Sequence, residues 1–474
     1  MGRTGSAPRS TGRRLVALAL SLVATATVLA RSQGSAIASK RPNIVLILTD
    51  DQRWDTLWAM PTVRKRLVNH GVTFANSFVV NSLCCPSRSS ILTGKYSHST
   101  GVYTNGGPHG GFAAFRDRPT VATRLHGAGY ETALVGKYLN GYGGTYIPPG
   151  WDQWAAIEMR PPSPTHDYYY DYRLNVNGSI RSYGSDPSDY STDVLTSQAV
   201  RFIDHARSPL FLYLGLWAPH GPPIPAAGDG DTVPNLKPAR PPNFNEEDVS
   251  DKPQWVQSLP TLDDSRIRAV DRYRRGQLQT LRDVDRSVGR ILDALRRTGR
   301  LGNTLVVFMS DNGLAWGEHR WTNKQAAYEE SIRVPLVIRY DPLTQAPRRT
   351  NAPALNVDLA PTFAALAGTS TSGVEGRSLL PILQRRPVSW RTGFLVEHLE
   401  LWPGAPPPTF CGIRTRRFLY VKYVTGEREL YALETDPFEL QNRVDDPTLG
   451  VPQRTLERRL HNLCDPPPPG MPRP

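Results

Sequence analysis

Two apolar runs end in hard oxygen donors. Residues 43–49 (Asn43-Ile44-Val45-Leu46-Ile47-Leu48-Thr49) lead into Asp50-Asp51-Gln52, and residues 304–310 lead into Asp311-Asn312-Gly313. Three carboxylates and one amide oxygen, with no His or Cys cluster beside them, suit Ca²⁺ or Mg²⁺ rather than zinc. A cation held there could polarise an oxygen of an anionic ester. Taken singly, each pair is also an ordinary turn. Between them lies Cys84-Cys85-Pro86-Ser87-Arg88-Ser89-Ser90-Ile91-Leu92-Thr93-Gly94, a C-x-P-S-R motif opening a helical run. A helix N-terminus favours anions, while the plainer reading is a helix start with two buried thiols. Lys137, His220 and Lys324 follow other apolar or site segments, and each one alone reads as a surface or structural residue.

The positioning elements follow from patterning. Runs 43–49, 131–136, 210–216 and 304–310 are continuously apolar and of strand length, the pattern of strands buried on both faces of a parallel sheet. Their C-terminal ends are where α/β sheets place their sites. Residues 71–80 read as extended, 120–127 and 191–206 as helices, and 168–175 with 179–183 as a hairpin turning on Asn177-Gly178. The longest helix is expected over 265–298, where Leu278, Leu281, Val284, Val288, Ile291, Leu292 and Leu295 keep helical spacing up to the stop at Gly299. Its arginine-rich face reads as solvated surface. Strand–loop–helix alternation predicts an α/β domain over 39–385, with a large, mainly parallel central sheet flanked by helices. Short strands in meander order at 393–396, 410–413, 418–423 and 429–431, then a helix at 453–462, predict a small antiparallel-sheet subdomain over 386–465. The proline-rich tail 466–474 is expected to be disordered.

C-x-P-S-R followed by L-T-G resembles the signature of the type I sulfatases. The resemblance covers most of the chain: Asp50-Asp51, Gly136-Lys137-Tyr138-Leu139-Asn140, Ala218-Pro219-His220, Ser310-Asp311-Asn312-Gly313, Gly317-Glu318-His319, Lys324, Asp358-Leu359-Ala360-Pro361-Thr362 and Gly376-Arg377-Ser378-Leu379-Leu380. Within the family, segments 83–85, 137–140 and 168–194 are most similar to N-acetylglucosamine-6-sulfatases. The resemblance implies an alkaline-phosphatase-like fold and hydrolysis of sulfate monoesters. It implies that Cys84 is oxidised after synthesis to formylglycine, whose hydrated aldehyde attacks sulfur, and that a formylglycine-generating enzyme is a maturation partner. By the same resemblance Asp50, Asp51, Asp311, Asn312 and the modified Cys84 bind the metal, calcium with magnesium as the alternative. Arg88 would orient the hydrated aldehyde. Lys137, His220 and Lys324 would contact the sulfate, with His220 or Lys324 protonating the leaving oxygen. Many members carry a His where this chain has Leu139, which gives His220 more weight.

The implied substrate is a sulfated sugar, such as N-acetylglucosamine 6-sulfate from glycosaminoglycans attacked in exo fashion, or an aryl sulfate. Trp54, Trp316 and Trp321 are candidates to stack on sugar rings, with core packing as the alternative. Two rivals stand beside this reading. One is a phosphonate or phosphate ester hydrolase of the same superfamily; the other is a non-catalytic exported protein that binds sulfated glycans.

Composition sets the outer bounds. The chain has 474 residues, 39% hydrophobic and 21% charged, and a formal net charge of +13. The first 38 residues carry Arg3, Arg9, Arg13, Arg14 and Arg31 and no acid, leaving +8 beyond them. A basic balance suits polyanionic partners. No basic run with interleaved aromatics and no nucleic-acid motif is present, so nucleic acid is not an expected partner. Arg13-Arg14, an apolar stretch over roughly residues 15–29 and Ala36-Ile37-Ala38 read as an export signal over 1–38 with an A-x-A cleavage site. The arginine pair also fits a twin-arginine signal. An uncleaved anchor is the competing reading, although the stretch is short and alanine-rich for a membrane span. Secretion or a periplasmic, cell-envelope location is expected, with no stable membrane insertion after cleavage. Of the four cysteines, Cys411 and Cys464 are expected to form a disulfide, leaving Cys84 and Cys85 free.

Overall fold

The computed structural model describes residues 1–7, 41–160, 167–207, 209–344 and 346–474. Met1–Ala7 is irregular and exposed, and the expected export signal otherwise lies outside the described residues. Residues 42–474 form one compact unit.

Its centre is a ten-stranded sheet. Five strands run parallel side by side: Thr304–Ser310, Asn43–Thr49, Leu210–Gly215, Glu131–Gly136 and Gln153–Ile157. Antiparallel neighbours border them, Leu336–Arg339 on one side and Arg173–Val176 with Ser179–Ser182 on the other. The parallel core is apolar all round because helices cover both faces. Val45 and Ile47 pack with Leu278, Leu281, Val284 and Leu292 of the long helix Asp264–Arg297, whereas Ile44, Leu46 and Leu48 meet Ile91, Leu92, Leu125 and Phe363 on the other face. The long helix is capped by Asp263, whose side chain accepts from the Arg266 amide.

The expected hairpin is present but shorter than its pattern suggested. Tyr168 and Asp171 adopt positive φ, 48° and 50°, so pairing starts only at Arg173. Asn177 and Gly178 both take positive φ, as a type I′ turn requires.

The C-terminal strands Gly393–His398, Phe410–Thr415, Phe418–Tyr423 and Arg428–Ala432 form the expected antiparallel meander. One face, with Phe394, Val396, Phe410 and Leu419, shares a core with Phe78, Val80, Tyr328 and Ile332 of the larger part. The other face, with Leu395, Ile413 and Leu430, packs on Leu456 and Leu460 of the helix Gly450–Leu463. In the tail 466–474, Met471 packs against the same cluster and is only 6% exposed. Arg473 Nε donates to the His461 carbonyl at 3.0 Å, and His461 Nδ1 lies 2.8 Å from the Pro474 carbonyl oxygen.

Cys411 and Cys464 are bridged and Cys84 and Cys85 are free thiols. The bridge spans 53 residues of sequence. Chain-entropy arguments assign such a closure roughly 4 kcal/mol. Cys411→Ser is therefore expected to lower unfolding free energy by about 2–4 kcal/mol in chemical denaturation. A second prediction concerns His98, which ties the small sheet to the larger part: its Nδ1 is 3.1 Å from Glu397 Oε2 and its Nε2 is 3.6 Å from Glu375 Oε1. Burial opposes protonation, but Glu375 and Glu397 outweigh it and raise His98 from 6.5 to about 10. A raised folded value means its stabilisation is complete below pH 6.5 and lost as pH rises toward 10. Denaturation midpoints across that window should fall in the native protein and fall less in His98→Gln.

Candidate active site

Register creates the site. Thr49 pairs with Ser310, Leu48 with Gly215, and Gly136 with Gly215, so four parallel strands end level with one another. The next residues, Asp50, Asp51, Asp311, Asn312 and Lys137, therefore project from one edge. Gly136 is required at this edge. It has φ 105°, and a Cβ there would sit 1.9 Å from the Gly215 carbonyl oxygen. The turn after it lets the Lys137 amide donate to that carbonyl at 2.7 Å. Asp51 is also held at positive φ, 65°, an uncommon conformation for a non-glycine residue.

Helix Cys84–Thr93 points its N-terminus at this edge, starts after extended Leu83 and stops at left-handed Gly94. Cys84 Sγ lies 3.5 Å from Asp50 Oδ1 and 3.0 Å from Lys324 Nζ. Arg88, one turn on and fully buried, spans the acids: Nε donates to Asp311 Oδ2 at 2.7 Å, Nη2 to Asp50 Oδ2 at 3.3 Å, and Nη1 to the Lys137 carbonyl at 2.8 Å. Lys137 Nζ bonds Asp50 Oδ2, and Lys324 Nζ bonds Asp51 Oδ1 at 2.5 Å. His220 Nε2 approaches Asp51 Oδ2 at 3.7 Å, while its Nδ1 is 2.7 Å from the Gly221 carbonyl oxygen. The structure thus brings together every one of the sequence-derived candidates: Asp50, Asp51, Cys84, Arg88, Lys137, His220, Asp311, Asn312 and Lys324. Leu139 is fully buried in the apolar cluster beneath.

The electrostatics fit a cation and an anion rather than a reactive thiol. Burial, then Asp50, pushes the Cys84 thiol up to about 11, so it is not a thiolate at neutral pH. Burial opposes charge on Asp50, yet Lys137, His220, Arg88 and Lys324 hold its carboxyl far below the usual range. Burial and then Asp50 raise Asp311 to about 6. Burial lowers His220 to about 4, leaving it neutral. Asn312 tests the metal reading directly. Its Nδ2 donates to Asp51 Oδ1 at 2.6 Å, but its Oδ1 is buried with no partner. An amide oxygen without a donor, beside Asp50, Asp51, Cys84 and His220 gathered within 4.8 Å, fits a hard divalent cation.

Sequence patterning overlooked Gln277. On the long helix, its Nε2 donates to the Pro219 carbonyl at 3.0 Å and its Oε1 accepts from Trp316 Nε1 at 2.6 Å, pinning the His220 turn. The available signal was a polar residue on the helix's buried face beside Leu278 and Leu281. The tryptophans divide. Trp54 is partly exposed with Arg333 stacked on it at 4.1 Å, whereas Trp316 and Trp321 are mostly buried. Both nevertheless border a hollow of about 440 Å³ shared with Tyr273 and Arg266. Trp321 Nε1 donates to the Lys324 carbonyl, which ties one wall of that hollow to the segment carrying Lys324.

A family model described as "Sulfatase" matches residues 42–369, and one described as "N-sulphoglucosamine sulphohydrolase, C-terminal" matches 317–465. The chain is 36% identical over 377 residues to the extracellular sulfatase SULF-1 homolog of Drosophila melanogaster, covering 76% of this chain and 33% of that one. It is 34% identical over 388 residues to the N-acetylglucosamine-6-sulfatase of Homo sapiens, covering 77% and 68%. The chain thus spans a third of the fly protein's length and about two thirds of the human one. A solved structure of a protein in complex with its substrate D-glucosamine-2-N,6-O-disulfate superposes with a TM-score of 0.79 at 27% identity, covering 90% of this chain and 98% of that one.

The orphaned amide oxygen and the buried acids predict cation-dependent stability. Ca²⁺ or Mg²⁺ at a hundredfold excess over its dissociation constant should raise unfolding free energy by about 2.7 kcal/mol, and EDTA should reverse the gain. Asp51→Asn should lose most of it, as read by thermal denaturation with and without the cation.

Proposed function

The chain belongs to the sulfatase family, and on that premise we propose that it is an exported enzyme that hydrolyses sulfate monoesters of sugars, with N-acetylglucosamine 6-sulfate as the leading substrate. The observation that carries this reading is Cys84 at a helix N-terminus, 3.0 Å from Lys324 Nζ and 3.5 Å from Asp50 Oδ1. Asp50, Asp51, Asp311 and Asn312 would hold Ca²⁺, which would supply charge neutralisation of the sulfate, and Cys84 converted to formylglycine would supply the oxygen nucleophile as its hydrated aldehyde.

The chain's own residues do the rest. Arg88 fixes Asp50 and Asp311 relative to the first helical turn, so nucleophile and ligands keep one geometry. Lys137 and Lys324 are held as ammonium ions by the acids around them, and both face the space before Cys84 as donors to nonbridging sulfate oxygens. Because His220 Nδ1 faces a carbonyl oxygen, its hydrogen belongs on that nitrogen, and Nε2 is the atom that takes up a proton. An anionic ester near Nε2 favours the protonated ring, which then delivers the proton to the leaving alcohol. Lys324 is the alternative donor. The hollow bordered by Trp316, Trp321, Tyr273 and Arg266 suits the sugar: aromatic faces for a ring and a guanidinium for a second anionic group.

Export is supported by the extracellular naming of the fly relative and by the arginine-led apolar start of the chain. No helix among the described residues is long and apolar enough to cross a membrane.

Mass spectrometry of the Cys84 peptide from active protein should show the loss of H₂S and gain of O expected for the aldehyde; an unmodified peptide from an active preparation would defeat the mechanism. Cys84→Ala should abolish turnover, Cys85→Ala should retain it, and Lys324→Ala should cost about 10²–10³-fold in kcat. Parallel assays on N-acetylglucosamine 6-sulfate, aryl sulfate, aryl phosphate and phosphonate esters decide among substrates. Faster turnover of the phosphorus esters would reassign the enzyme, and good turnover of other sulfated sugars alone would overturn the 6-sulfate reading.

A further inference from the structure

A second cluster of ligand-type side chains lies apart from the nucleophile. His319, Glu330 and Glu439 each bring one donor atom to within 4.8 Å of the others. They come from distant segments: the loop after the Thr304–Ser310 strand, the short helix Glu329–Ile332, and the loop beyond the last strand of the small sheet. Asn243 and Glu246 join them from the proline-rich loop. All five are buried, from 0% exposed for His319 and Asn243 to 8% for Glu330.

Charge balance sets this cluster apart. The neighbouring acids have cations: Glu318 pairs with Arg53 at 2.7 Å, Glu329 with Arg414 at 2.7 Å, and Glu246 with Lys252 at 3.3 Å. Among the described residues neither Glu330 nor Glu439 has an ion pair. Glu330 Oε1 accepts from Asn243 Nδ2 at 3.1 Å and Glu439 Oε2 accepts from the Glu329 amide at 3.2 Å. Glu330 Oε2, Glu439 Oε1 and Asn243 Oδ1 are buried without any partner. The two orphaned carboxylate oxygens in one dry place cost several kcal/mol unless something positive meets them. Burial, then neighbouring carboxylates, raises both carboxyls above their usual range.

The histidine is already oriented as a ligand. Its Nδ1 is 2.6 Å from Glu246 Oε2 and its ring packs on Tyr328 at 4.2 Å between centroids. An imidazole donating Nδ1–H to a carboxylate presents Nε2 as a lone pair, the arrangement found behind metal-bound histidines. Asn243 Nδ2 stands 3.3 Å from that Nε2. Turning the amide over, a choice heavy-atom positions do not distinguish, would place Oδ1 there. Separations of 3.1–3.3 Å to Nε2 and Glu330 Oε1 match neighbouring ligands around a cation with bonds of about 2.0–2.1 Å.

We propose that His319, Glu330 and Glu439, with the Asn243 amide oxygen, form a second, buried site for a first-row divalent cation, Zn²⁺ being the best match to this mixed nitrogen and oxygen set. It is independent of the sulfatase reading, which needs only the hard cation at Asp50, Asp51, Asp311 and Asn312. Bound there, the ion neutralises the two unpaired carboxylates and ties the small sheet's outgoing loop to the segment that carries Lys324.

The full-length protein, stripped with chelator and held in excess Ca²⁺ to fill the first site, is titrated with Zn²⁺; bound metal is counted by plasma mass spectrometry after gel filtration. One Zn²⁺ equivalent should be retained and should raise Tm. Glu330→Gln and Glu439→Gln should each weaken Zn²⁺ binding at least 100-fold while leaving the Ca²⁺-dependent rise in Tm, and Glu246→Gln should weaken it about 10–100-fold through the imidazole. Should the variants fail to fold, Co²⁺ in place of Zn²⁺ in the native protein should give visible absorption of a low-coordinate site, and its absence counts against the proposal. Retention of no Zn²⁺ by the native protein, or equal retention by folded Glu330→Gln and Glu439→Gln, overturns it and leaves the two carboxyls neutralised by protons alone.

Discussion

Asp50 and Asp311 are wholly buried carboxylates, and Asp51 is almost so. Packing them side by side is tolerable only because Arg88, Lys137 and Lys324 are buried with them and bonded to them. Taking each ion out of water costs several kcal/mol, and only close pairing with well-aimed hydrogen bonds offsets it. The rest of the molecule is consistent with that single demand. Strands must end level, so that the acids meet. A helix must begin at the same edge, so that Arg88 can reach two acids from one turn inside it. The long helix must send Gln277 down to hold the His220 turn.

Such a site is poised rather than relaxed. Each lysine ammonium bonds a carboxylate oxygen that a cation would otherwise claim, so charge is balanced within the chain before any ligand arrives. The acids and lysines that meet here come from three strand ends and from the loop that carries Lys324, so no single local segment sets the balance.

Much of this was legible in the sequence because the signals were local and redundant. Fully apolar runs ending in Asp-Asp and Asp-Asn marked both strands and the ends where acids meet, and Gly299 marked where the long helix stops. The Asn177-Gly178 turn was read correctly, but the strand before it was overextended, since its alternation says nothing of the positive φ at Tyr168 and Asp171. The contacts of the tail were not legible from composition: a single methionine and two hydrogen bonds join it to the helix Gly450–Leu463 and its cluster. Gln277 was missed because its importance lies in what it touches across more than fifty residues of sequence, Pro219, and no spacing rule encodes that contact.

The segment from Asp311 to Glu330 joins the two buried charge clusters. It leaves the central sheet with Asp311 and Asn312, brings Lys324 to Cys84, and between and after these gives His319 and Glu330 to the second cluster. Around Lys324 the chain has little regular structure, so its position depends on its fixed neighbours: Trp321 bonded to the Lys324 carbonyl, Trp316 bonded to Gln277, and His319 packed on Tyr328. Any change at Glu330 or Glu439 acts on that segment from the side of the small sheet, where Tyr328 and Tyr431 share Glu429 as acceptor. The C-terminal meander is then more than an appendage. It closes the far side of the loop that presents Lys324, and the placement of that ammonium depends on packing that begins with Phe394 and Val396 of the meander.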